Sequence, residues 1–112
     1  MLNYTMDMDR VFHSLADKTR RGIIEHLSVR PASVKEVAEP YDMSLPAVML
    51  HLQILEQAGL IQTRKEGRVR LCTLTPDPIV QAADWIQQRA AHWNTMFDAY
   101  EQVVTEPKEL GR

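Results

Sequence analysis

Apolar positions along this chain change period once, from helical to alternating, and then back again. Met8, Val11, Phe12 and Leu15 recur at helical spacing and predict a first helix over 6–15. Asp17 stands where an N-cap is needed, and a second helix follows with Ile23, Ile24 and Leu27 turned inward. Arg30-Pro31-Ala32 breaks it. Ser33 and Glu36 have capping-box spacing, so a short third helix carries Val34, Val37 and Ala38 until Pro40 truncates it. Ser44 caps a fourth helix, and Pro46 falls in its first turn, where a missing N–H costs little. Ala47, Val48, Leu52 and Leu55 supply its inward positions, and Gly59 stops it. The period then drops to two. Ile61–Glu66 and Val69–Leu74 predict a hairpin turning at Gly67 and Arg68, and Thr75-Pro76 ends it.

Helical spacing resumes over 78–103. Trp85, Arg89, Trp93 and Phe97 recur every four residues, with Ile86, Met96 and Tyr100 alongside. This stripe is either intrachain core or an interface between two copies. A small domain has little interior left for it, and aromatic residues concentrate in interface cores, which favours the second. Met8, Val11 and Phe12 of the first helix are the apolar positions to join it. The polar stretch 105–112 is expected to fray. The fold class is therefore mainly α with a small β-hairpin wing. It is one winged helix-turn-helix domain over 1–104 (four helices, two strands, one helix) and a polar tail over 105–112.

Composition narrows the classes. At 112 residues, 45% apolar and 25% charged, the chain suits one globular domain. No apolar run reaches the roughly 18 residues of a membrane span. The opening MLNYTMDMDR lacks the basic-then-apolar plan of a secretion signal. Cys72 is the one cysteine, so no intrachain disulfide forms, and a reducing, cytoplasmic setting is expected. A net charge of −2 argues against a protein that coats nucleic acid indiscriminately. Yet residues 18–75 hold nine basic and six acidic side chains, while 76–112 hold three and six. The positive excess thus lies on the helix-turn-helix and wing, as phosphate contact requires. There is no Gly-rich phosphate loop, no G-x-S-x-G and no H-E-x-x-H, so neither an enzyme nor a cofactor is expected.

Three segments carry a family resemblance: LADKTRRGIIEHL (15–27), VKEVAEPYDMSLPAVMLHLQILEQAGLI (34–61) and RKEGRVRLCTLTP (64–76). In this order they resemble the ArsR (ArsR/SmtB) family of bacterial winged-helix repressors. The resemblance implies a homodimer built from the first and last helices, bound to an inverted-repeat double-stranded DNA operator near its own promoter. It implies that helix 44–57 reads DNA. Leu45, Pro46, Met49 and Leu50 would face bases, and Ser44 and His51 phosphates, with Arg64, Lys65, Arg68 and Arg70 forming the wing. The family usually has polar residues at those base-facing positions. Direct readout rests mainly on Arg, Asn and Gln, whereas apolar side chains meet chiefly thymine methyl groups. Operator choice then leans on methyl contacts, the wing and DNA shape, or DNA binding is weak, or the face meets another partner.

The family includes metal sensors, but ligand patterns are missing here. Residues 36–43 contain no cysteine, Asp84 is followed by Trp85 and Ile86, and His13, His26, His51 and His92 lie far apart. The last helix resembles the non-metal branch. Cys72 reads as a small strand residue, since a redox switch needs a second thiol or an activated thiolate. His51 reads as a phosphate donor or a structural hydrogen-bonder. Arg20 and Arg21 could contact phosphate or pair with Asp17 or Glu25. The segment Lys65-Glu66-Gly67-Arg68 is either a solvated turn or a DNA contact. A DNA-binding autorepressor is the leading expectation. The alternatives are a sensor of a small organic effector and a winged-helix module that docks protein.

Overall fold

The order of elements follows the apolar pattern, with one addition. The structure, a computed structural model, describes residues 7–110, with side chains over 7–103. It contains α1 (Met8–Leu15), α2 (Lys18–Val29), β1 (Ala32–Ser33), α3 (Val34–Ala38), α4 (Leu45–Gln57), β2 (Ile61–Glu66), β3 (Val69–Leu74) and α5 (Asp77–Leu110). The expected first-helix start at Met6 lies outside the described residues. The addition is β1. Ala32 and Ser33 pair antiparallel with Cys72 and Leu71, so the hairpin becomes a three-stranded sheet in the order β1-β3-β2. A two-residue strand has no period to detect. It forms because β3 has a free edge to offer. α5 starts one residue earlier than expected and continues to Leu110, through residues expected to fray.

Local chemistry sets the helix starts. Asp17 Oδ2 accepts the Arg20 N–H at 3.0 Å to cap α2. Ser33 Oγ accepts the Glu36 N–H while Glu36 Oε1 accepts the Ser33 N–H, completing the capping box of α3. Ser44 Oγ accepts the Ala47 N–H and caps α4. The end of α4 is a Schellman motif. Gly59 adopts φ +79°, its N–H reaches Glu56 O at 3.0 Å, and the Leu60 N–H reaches Leu55 O at 3.0 Å. Leu55 and Leu60 are both fully buried, which supplies the apolar contact of that motif.

The chain divides into two compact units within α5, one ending at Ala82 and the other beginning at Ala83. The first holds the core. Ile23, Val37, Val48, Leu55, Leu60, Ile61 and Cys72 are buried to within 1%. Burying such side chains stabilises by about 1.5–3 kcal/mol each. Val11 belongs here, and this corrects its expected place at a dimer surface. It is fully enclosed among core residues of its own chain. Spacing marks it as apolar but cannot say whether a partner or the core covers it. Phe12 packs at the edge of the same core, partly buried, and Met8 is half-buried. The second unit is helix alone, so it has no core of its own to receive large side chains.

Candidate nucleic-acid interface

α4 presents one face to the core and the opposite face outward. Val48, Leu52 and Leu55 point in. Leu45, Met49 and Leu50 point out, between 40% and 58% exposed, and Pro46 is exposed with them. Between this outer face and the sheet runs a groove of about 550 Å³, lined by Leu45, Pro46, Met49, Leu50, Gln53 and Arg70 among others. A second hollow of about 500 Å³ adjoins Leu45 and Met49 and is bounded by Lys35, Arg68, Val69 and Arg70. All four positions expected to face bases therefore line one surface.

Sequence reasoning missed Gln53, Lys35 and Val69. Gln53 had a signal, because it lies three residues after Leu50 and four after Met49 on one helical face. Lys35 and Val69 had none, since only the packing of α3 and β3 beside α4 brings them to the groove.

The wing cations do not act as one set. Strand register makes Lys65 and Arg70 direct cross-strand partners, and Arg64 the partner of Leu71. Alternation places Lys65 and Arg70 on the sheet face that carries buried Ile61 and Cys72 inward. Arg64 lies on the opposite face, where its guanidinium is bonded to Glu66 Oε2 at 2.5 Å. Two like charges directly opposed across strands cost stability. Arg68 lies in the turn with Gly67, whose φ is +65°.

Arg70 has a second fixed contact. Its Nη1 donates to Thr63 Oγ1 at 3.2 Å, and Thr63 donates through Oγ1 (3.1 Å) and N–H (3.4 Å) to Glu56 Oε2. Glu56 belongs to α4, so this chain of bonds sets the wing at a defined distance from the outer face of α4. Neither Thr63 nor Glu56 was singled out from sequence.

Ser44 and His51 sit at the rim of α4. Ser44 uses an oxygen lone pair to cap the helix, which leaves its hydroxyl hydrogen to donate. His51 is partly exposed, with Nδ1 at 3.2 Å from Arg20 Nη1. Neither Arg20 nor Arg21 forms a side-chain ion pair with Asp17 or Glu25 among the described residues. Arg20 Nε and Nη2 donate to the Ser14 and His13 carbonyls, and Arg21 Nη1 donates to the Leu15 carbonyl. They cap the C-terminal end of α1, where carbonyls lack helical partners.

Cys72 is fully buried, and burial pushes its thiol up to about 11, with Glu56 adding and Arg70 opposing. It is a core thiol, closed to oxidants. Among the described residues no three His, Cys, Asp or Glu side chains gather to hold a metal ion. No helix among them is long and apolar enough to cross a membrane.

α5 carries the aromatic stripe in the open. Trp93 and Phe97 lie with ring centroids 6.0 Å apart, and the Arg89 guanidinium sits 5.0 Å over Trp85, which is half-buried. Ile86, Trp93, Met96, Phe97, Tyr100 and Val103 are all about half exposed or more.

The chain is similar in sequence and fold to known proteins. A family pattern described as a helix-turn-helix domain matches residues 15–64. The HTH-type transcriptional regulator Rv2034 of Mycobacterium tuberculosis is 33% identical over 96 residues, covering 86% of this chain and 87% of its own. A crystal structure of an ArsR family transcriptional regulator is 39% identical, with TM-score 0.76, over 84% of this chain and 97% of that one. This chain belongs to the ArsR family of transcriptional regulators. As an ArsR protein it is a DNA-binding regulator and not an enzyme. The transcriptional repressor SdpR of Bacillus subtilis is 29% identical over 70% of this chain and 88% of its own. A homodimeric winged helix-turn-helix DNA-binding domain of Mycobacterium bovis is 25% identical with TM-score 0.60, over 72% of this chain and 77% of that one.

Proposed function

We propose that this ArsR protein is a homodimeric repressor that acts in the cytoplasm by occupying an inverted-repeat operator. α4 lies in the major groove, and Lys65, Arg68 and Arg70 hold flanking phosphates. Leu45, Pro46, Met49 and Leu50 read thymine methyl groups, with Gln53 as the polar reader beside them. The observation that carries this is an outward apolar α4 face that shares one groove with Arg70, whose cross-strand partner is Lys65. The cations supply affinity without sequence, and the apolar face has one chemical target in a major groove. Dimerisation through α5 and the outer residues Met8 and Phe12 would cover the stripe that its own chain leaves exposed. The homodimeric relative supports this reading.

Selection of bound duplexes from a random pool tests the proposal. The enriched sequence is expected to be an inverted repeat with thymines in each half-site. Replacing those thymines by deoxyuridine removes only the methyl groups. A buried group of that size is worth ~0.8 kcal/mol, or about fourfold per methyl. Equal binding to the deoxyuridine duplex would remove methyl readout. If no sequence is enriched, the apolar groove serves a protein or organic partner instead of DNA.

A further inference from the structure

Arg20 is a cation with only 8% of its surface exposed. Arginine is almost never buried unless paired, yet no carboxylate forms an ion pair with its guanidinium among the described residues. The guanidinium instead spends each nitrogen on a separate partner. Nε donates to Ser14 O at 2.7 Å and Nη2 to His13 O at 3.1 Å, both in the last turn of α1. Nη1 lies 3.2 Å from His51 Nδ1, across 31 residues, in α4. The Arg20 backbone is pinned as well, by the Asp17 carboxylate.

This geometry decides a proton. A guanidinium has five donors and no acceptor, and it does not deprotonate in proteins. For Nη1 to donate to it, the Nδ1 it meets is the bare, accepting nitrogen of the imidazole. The ring's one proton then sits on Nε2. Asp17 Oδ2, at 3.8 Å from the same Nδ1, is too far to compete by a hydrogen bond. We propose that Arg20 is a positioning residue for DNA contact. It locks His51 in its Nε2–H form and fixes the ring, so that α4 offers a pre-oriented donor to a phosphate oxygen. Because the same guanidinium clasps the end of α1, that donor is tied to a helix that the dimer reading places beside the partner. The proposal rests on α4 facing DNA.

The parallel, purely structural account is that Arg20 only staples α1 to α2. Two readouts separate them. The first needs no DNA: long-range ¹⁵N correlation of the imidazole nitrogens in the full chain. His51 is expected to show a bare Nδ1 and a protonated Nε2. In Arg20→Met the two tautomers should mix, and in Arg20→Lys, which keeps the charge, mixing should be partial. Should Arg20→Met fail to fold, Arg20→Lys carries the same test. The second readout is affinity for the selected operator. His51→Gln can place an amide N–H near the Nε2 position and should stay within about threefold of the parent. His51→Ala should lose on the order of tenfold, as expected for a hydrogen bond to a charged group. Arg20→Met should lose a similar factor, and the double variant no more than either alone. A protonated Nδ1 in the parent, or losses that multiply in the double variant, would overturn the proposal, as would His51→Ala binding like the parent. Failure of the parent to bind any duplex would instead sink the DNA reading, and the spectrum would still decide the lock.

Discussion

Gly22 lies inside α2, where alanine would be the better helix former by about 1 kcal/mol. The space explains the glycine. A Cβ there would run into the Tyr41 hydroxyl, which donates to Thr19 O at 3.4 Å. Tyr41 follows α3, so this contact sets the approach of α2 to the turn before α4. Gly22→Ala is expected to destabilise by about 1–2 kcal/mol through overpacking. Adding Tyr41→Phe removes the clashing oxygen and should recover most of the loss. Urea titrations of the three variants at one protein concentration check this. Two other residues contribute to the response to acid. The Ser33 backbone N–H holds the Glu36 carboxyl below 4.5, and the Arg20 backbone N–H holds that of Asp17 below 3.8. A carboxylate with a depressed folded value contributes fully above its ordinary value, and the contribution is lost as pH falls through the folded one. Stability should therefore fall as the pH drops below about 4.5. Glu36→Gln keeps an acceptor for the capping box but cannot titrate, so its urea midpoint should depend less on pH over that range.

At the scale of elements, the proposed complex divides the work of binding between α4 and the wing. Lys65 and Arg70 share the α4-side face, Arg68 is in the turn, and Arg64 is turned away and paired with Glu66. Each phosphate that a variant no longer neutralises flattens the salt dependence by about one unit of slope. Arg68→Ala with Arg70→Ala is expected to weaken binding to operator and scrambled DNA alike and to flatten that slope. Arg64→Ala should change both far less. Leu50→Ala should spare scrambled DNA and weaken the operator, mainly at thymine positions. Titrations at several salt concentrations distinguish the three. Equal effects from Arg64 and Arg70 would show that the wing meets DNA with both faces.

For the whole molecule, the question is what covers α5. A stripe holding Trp93, Phe97 and Tyr100 in the open exceeds what a monomer's surface usually keeps. Trp93→Asp should turn a dimer into monomer or aggregate. Light scattering that finds the parent monomeric at micromolar concentration would refute the dimer. The sequence lacks the ligand patterns of the metal sensors, so metals are expected not to control DNA binding. Zinc, cadmium, arsenite and copper should leave operator affinity within a few-fold at constant ionic strength. A stoichiometric metal complex that weakens binding tenfold, about 1.4 kcal/mol, would count against this.

The elements were legible because each rests on a local rule. The caps at Asp17, Ser33 and Ser44, the stop at Gly59 and the turn at Gly67 involve neighbours a few residues apart. The apolar α4 face was legible for the same reason, since helical spacing alone groups Leu45, Met49 and Leu50. What the tertiary structure decided involves partners distant in sequence. It alone shows Val11 turned into the core, Arg20 and Arg21 capping α1, and a third strand at Ala32. It alone sorts the wing cations by face and joins Arg70 through Thr63 to Glu56. Periodicity tells which side of an element is apolar or charged. Only packing tells what that side meets.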